Sequence, residues 1–254
     1  KTILIFCFLP ALTMISCQNT ETKSSSSITE IQSKNNIISC LEKSALVPCN
    51  LIDVSQIAEI INIDESEITK EAPKSNNFTP KMRGPFKNSE SMFKGCLYTW
   101  NTGRKQTTKA SSREITFDID NKIVVGNCKV LDPDELKKSY REYFNNYYRK
   151  PTDKESEMLQ DKFDESAEEN NLSSSEKETG SKIMKMTSNF NYSKIDNVGD
   201  DARWEVNKFD DTGILHILDD NVIFDVTVNL SDNEDENLEA AKKLGNAIID
   251  NCTD

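Results

Sequence analysis

The chain has 254 residues, a formal net charge of −12, a pI of about 4.8 and a mean hydropathy of −0.61. That length fits one large or two small domains, at roughly 100–200 residues each. The acidity argues against nucleic acid as a partner, since phosphate binding needs clustered Lys and Arg, and the single His excludes a His-rich metal site.

Residues 1–16, KTILIFCFLPALTMIS, place one positive charge before a mostly apolar body interrupted by Pro10. A spanning helix needs about 20 apolar residues, so the stretch reads as a signal peptide and not a transmembrane segment. It runs into Met14-Ile15-Ser16-Cys17, which resembles the lipobox of bacterial lipoproteins, with Met14 where Leu is usual. The resemblance implies lipidation (palmitate among the chains) at Cys17, cleavage just before it, and attachment of the mature chain to a membrane. Two or three acyl chains would suffice where one gives only marginal binding, at about 0.8 kcal/mol per buried CH₂. In that family Gln18, where sorting signals use Asp, implies the outer membrane if one is present, with the domain facing periplasm or exterior. The alternative is an ordinary cleaved signal peptide with a Cys nearby.

Residues 17–40 are Ser-rich and polar, and are expected to be a flexible tether averaging about 25 Å in span. The remainder, 41–254, reads as a single domain. DVSQIAEIIN opens with Asp53 and Gln56 at capping-box spacing and sets Val54, Ile57, Ile60 and Ile61 on one helical face. A loop with Pro73, Pro80 and Gly84-Pro85 follows. CLYTWN and REITFDID read as strands of a wide hairpin joined by the basic loop NTGRKQTTKASS. Asp132-Pro133 starts a helix in DELKKSYREYFNNYYRK, whose Leu136, Tyr140, Tyr143, Phe144 and Tyr147 form a stripe. Core packing explains such a stripe more simply than a Tyr-rich face for glycan or peptide. KESEMLQDKFDESAEEN is a poorer helix in an acidic, mobile insert near 152–180.

The last third alternates most clearly. NFNYSKI, ARWEV, GILHIL and VIFDVTVNL are strands, Asp219-Asp220-Asn221 is a tight turn, and a helix from about Asn233 aligns Leu238, Ala241, Leu244 and Ile248. The expected fold class is α+β, an antiparallel meandering sheet with helices packed on one face. The Trp-bearing strands around Trp100 and Trp204 suggest a degenerate two-fold repeat.

Cys40, Cys49, Cys96, Cys128 and Cys252 remain once Cys7 and Cys17 are assigned to the signal and anchor. In an exported chain they are disulfide candidates. Five allow two bridges in fifteen ways, and Cys49 with Cys96 is expected because each lies at the edge of a strong element. No Cys-x-x-Cys supports a zinc ribbon or redox site.

Charge is uneven. Residues 70–113 hold ten Lys or Arg against two acids, whereas residues 153–179 hold ten acids against three Lys. Such runs either form opposed faces or pair across the fold. As a ligand face, Lys81, Arg83, Arg104 and Lys105 are the candidates, for anionic headgroups or acidic glycans of the envelope.

NVGDDARW, with Gly199, Asp200 and Ala202, is similar to the GxGDxA turn of several uncharacterised α+β lipoprotein families, Val198 departing from the first Gly. Pro48-Cys49, and Cys96 with Tyr98 and Trp100, add to that resemblance. It implies architecture and no activity. Read from the residues, Gly199 is a turn glycine and Asp200 closes the turn, while adjacent Asp200 and Asp201 converge poorly as a catalytic pair. DIDNK and SDNEDENLE both fail the EF-hand pattern at the fifth and sixth positions. His216 lies in a strand with no nucleophile motif nearby.

No catalytic residue, metal or cofactor is assigned. The leading expectation is a non-enzymatic binding or scaffolding lipoprotein of the cell envelope. The alternatives are a hydrolase or metal-dependent enzyme using His216 or Asp200 and Asp201, and an immunity-type inhibitor offering its acidic segment to a basic protein partner.

Overall fold

Ser39 Oγ accepts the Glu42 N–H at 3.1 Å and starts α1 (Cys40–Ala45). Gln56 Oε1 accepts the Asp53 N–H at 3.2 Å and starts α2 (Val54–Ile61) as the spacing predicts. The computed structural model describes residues 39–72, 85–87, 94–110, 113–187, 191–207 and 212–252. Cys17, the tether before residue 39, Lys81 and Arg83 lie outside the described residues.

The strands are β1 (Thr69–Glu71), β2 (Gly95–Trp100), β3 (Lys105–Ala110), β4 (Arg113–Asp118), β5 (Asn121–Val130), β6 (Ser193–Ile195), β7 (Asp201–Asn207), β8 (Thr212–Asp219) and β9 (Val222–Asn229). Seven form one antiparallel sheet in the order β1-β2-β5-β9-β8-β7-β6, whose second half is a meander. The fold is α+β. Helices α1, α2 and α6 (Glu234–Asp250) pack on one face, where Tyr98, Ile123, Val125, Leu215, Ile217, Phe224 and Val226 are fully buried. Each such side chain contributes about 1.5–3 kcal/mol on burial. Close approach of α6 requires Gly245, where a Cβ would fall 2.5 Å from Ile217 Cδ1.

On the opposite face Leu131, Leu218 and Ile223 are covered by Phe144 and Tyr148 at the end of α3 (Tyr140–Tyr147). Strands β8 and β9 are therefore buried on both sides. Helices α4 (Asp153–Glu169) and α5 (Ser174–Thr187) pack against each other.

Several expectations change. REITFDID does not pair with CLYTWN: β2 pairs with β5, and β4 pairs with β3, which lies inside the basic loop, as a separate two-stranded ribbon. Ile115 and Phe117 are 49% and 43% exposed there, so the alternation that suggested a core face belongs to an outlying hairpin. The third helix begins at Tyr140, after a Ser139–Glu142 capping box, and not near Asp134. The Trp-bearing strands β2 and β7 do occupy matching places, each second from an edge and two places from the central β9, with the three-residue strands β1 and β6 outside them.

Cys49 and Cys96 form one disulfide and Cys40 and Cys252 a second, joining the start of α1 to the end of α6; Cys128 stays a buried thiol. Burial pushes its pKa up to about 12, with the Asp225 charge adding to the effect and Lys129 opposing it. No helix among the described residues is long and apolar enough to cross a membrane.

Candidate functional site

On the sheet face away from α6, the strand register makes Arg203 on β7, His216 on β8 and Asp225 on β9 direct cross-strand neighbours. Lys129 on β5 joins this row through a bulge. The β5–β9 ladder stays in step to Gly126 opposite Asp225, then resumes with Lys129 opposite Ile223, so Asn127 and Cys128 together oppose Phe224. One extra residue reverses the alternation. It sends Cys128 and Val130 into the apolar core and Lys129 to the polar side, where its Nζ donates to Tyr148 Oη at 2.9 Å. Asn127 adopts a left-handed φ of 48°, which Asn tolerates, and its Nδ2 donates to Asp225 Oδ2 at 3.2 Å.

His216 Nδ1 lies 2.7 Å from Asp225 Oδ1 and its Nε2 3.2 Å from Glu205 Oε1, with the Tyr148 ring stacked on the imidazole at 4.2 Å. Burial alone would lower the His216 pKa. The Asp225 charge and the hydrogen bonds to Asp225 and Glu205 outweigh it and hold the pKa above its ordinary value, favouring an imidazolium that donates through both nitrogens. Burial alone would raise the Asp225 pKa. The His216 and Lys129 charges, with hydrogen bonds from His216 and Asn127, pull it below the usual value. Two carboxylates against His216 and Lys129 balance the buried charge, the condition under which such groups are tolerated.

Over the edge of this row, α3, β6 and the turn before β7 border an open cleft of about 800 Å³. Its floor is Arg203. The guanidinium bonds Asp201, Ala202 O at 2.8 Å and Asn145 Oδ1 of α3, and lies 5.7 Å from the centre of the Phe144 ring. One wall ends at Arg149, which grips Glu155 at 2.8 and 2.5 Å. That bond, more than the Thr152 N–H beside it, pulls the Glu155 pKa down to about 2. The other wall is the turn, with Asn197 and Gly199 at φ 64° and 54°. A Cβ on Gly199 would stand 2.6 Å from Leu218 O, so glycine is needed for both conformation and space.

No protein-family model, curated protein or solved structure matches the chain.

The candidate residues of the sequence separate. Asp200 donates its N–H to Leu218 O at 2.8 Å and accepts the Asp220 N–H at 3.0 Å, fastening its turn to the β8–β9 turn. Asp201 is buried on Arg203. These two carboxylates and His216 therefore engage different partners and do not form one reactive centre. Arg104 bonds Asn121 Oδ1 at 2.9 Å, Asn229 O at 3.2 Å and Asp232 at 2.8 Å, fixing the β3–β4 hairpin to the sheet and the start of α6. Lys105 is exposed opposite Asp118. Among the described residues no group of three or more His, Cys, Asp or Glu is arranged to hold a metal ion. Sequence reasoning missed Lys129, Glu205, Asp225 and Arg203. Asp225 alone left a signal, as a charged residue within the largely apolar VIFDVTVN, whereas Lys129, Arg203 and Glu205 stand among other polar residues in β5 and β7.

Proposed function

We propose that the chain is an exported, lipid-anchored protein of the cell envelope whose α+β domain is a non-catalytic binding module, with the cleft above Arg203 as its ligand side. The observation that carries this reading is the double engagement of His216. Both ring nitrogens meet buried carboxylates, so no lone pair is available for general-base work, and among the described residues neither nitrogen is bonded to a Ser or Cys. The cleft instead has the size of ligand sites, about 300–1,000 Å³, and fixed polar groups on rigid elements. The lipobox resemblance at Cys17 supports the address.

Two measurements test the reading. Mass spectrometry of the mature chain is expected to find Cys17 first and acylated; an unmodified start elsewhere contradicts the anchor. Chromogenic ester, phosphoester and glycoside substrates are expected to show no turnover. Turnover by the wild type that His216→Gln abolishes contradicts the binding role.

A further inference from the structure

We infer that the cleft takes a hydrophilic ligand bearing an oxyanion, a carboxylate or phosphate group on a sugar-sized body, held between Arg141, Lys150 and Lys194 over the fixed Arg203. The inference rests on the reading of the domain as a binder. Cations dominate the opening: Arg141, Arg149, Lys150, Lys194 and Arg203 reach it from two chain segments, 141–150 and 192–203, against Asp196, Asp200 and Asp201, in a protein of net charge −12.

The cations divide into two kinds. Arg203 is pre-organised, its guanidinium side chain 13% exposed. It spends three of its five N–H groups on Asp201, Ala202 O and Asn145, and among the described residues the other two meet no acceptor and suit a planar one. Arg149 is similarly committed to Glu155. The rest are exchangeable. Arg141 donates to the Asp200 backbone carbonyl at 2.6 Å, but its pairing with the Asp200 carboxylate is loose, 3.9 Å with side chains 61% and 53% exposed, and Lys194 and Asp196 are 3.2 Å apart at 64% and 75%. Exposed pairs of this kind contribute little, so an incoming oxyanion exchanges with the aspartates at small cost. Lys150 has no carboxylate at ion-pair distance among the described residues and adds an unspent charge.

Two features select a hydrophilic body. The rim is charged and amide-bearing, and the apolar Val198 of the turn is buried beneath it. Besides Val198 the apolar and aromatic lining is Tyr148, Tyr192 and Ile195; Tyr148 is only 3% exposed and the other two are half-buried, leaving little apolar surface for an acyl chain.

The test is calorimetric titration of the full chain in detergent micelles with digalacturonate, glucose 6-phosphate and the neutral disaccharide cellobiose. Variants Arg141→Gln and Lys150→Gln change exposed side chains, so folding is preserved and verified by thermal unfolding. The expected result is salt-sensitive binding of at least one anionic probe, none of cellobiose, and about a tenfold loss of affinity in each variant. Preference for digalacturonate or glucose 6-phosphate distinguishes carboxylate from phosphate as the source of the charge. Equal binding of cellobiose, anionic binding unchanged in both variants, or no anionic binding overturns the inference while the binding role stands. Conversion of any probe overturns the binding role itself.

Discussion

His216 and Asp225 stand directly opposite each other on β8 and β9, Nδ1 2.7 Å from Oδ1, in a sheet region closed on both faces. The pair is the centre of a row from Arg203 to Lys129 that crosses four strands and ties the sheet to the end of α3.

Removing the imidazole leaves Asp225 and Glu205 buried without it. His216→Ala is expected to lose about 3–5 kcal/mol of stability, the cost of breaking a buried ion pair from one side. Urea unfolding measures it, and a loss below about 1 kcal/mol would mean the row is not charged.

The pH dependence has a defined sign. The folded pKa of His216 is raised above 6.5, so its contribution is complete below 6.5 and is lost as pH rises through the folded value. The folded pKa of Asp225 is lowered below 3.8, so its contribution is present above 3.8 and is lost as pH falls through the folded value. The stability difference between wild type and His216→Gln is therefore expected to be greatest between these limits and to shrink on the alkaline side. A difference that grows with alkaline pH contradicts the assignment. Denaturant midpoints across pH measure it.

Gly199→Ala places a methyl group against Leu218 O at a φ of 54°. A loss of about 1–3 kcal/mol is expected, with looser closure of the cleft wall. Thermal unfolding reads the first, and amide exchange at Asp200, whose N–H bonds Leu218 O, reads the second.

Non-reducing peptide mapping is expected to recover Cys49 with Cys96 and Cys40 with Cys252, with Cys128 alkylated only after unfolding. Replacing Cys40 and Cys252 together by Ala is expected to cost about 2–5 kcal/mol, because the bridge closes nearly the whole domain into one loop.

Elements whose pattern follows from one buried face were legible. The apolar stripes of α2 and α6 and the alternation in β7 to β9 placed helices and meander. The interior strand β5 was not legible, because NKIVVGNCKV carries the bulge at Asn127 and Cys128, which breaks the two-residue period. Strand β3 was hidden for the opposite reason, since KQTTKA has no apolar face to mark it. The polar row was unreadable because Lys129, Arg203, His216 and Asp225 meet only through register, and one residue of slip at the bulge decides whether Lys129 joins. Arg104 looked like part of a basic surface, and only the fold reveals that its charge is spent on Asn121, Asn229 and Asp232.

The state of the His216 ring decides between binder and enzyme most directly. The chain has one histidine, so selective ¹⁵N-histidine labelling of the full-length protein yields one imidazole to observe by NMR. The expected result is a titration displaced above the ordinary 6.5, with both ring nitrogens protonated on its acid side and donating to carboxylates. A neutral ring with one unprotonated nitrogen, titrating at or below 6.5, would supply the free base that a binding module lacks and would contradict the account.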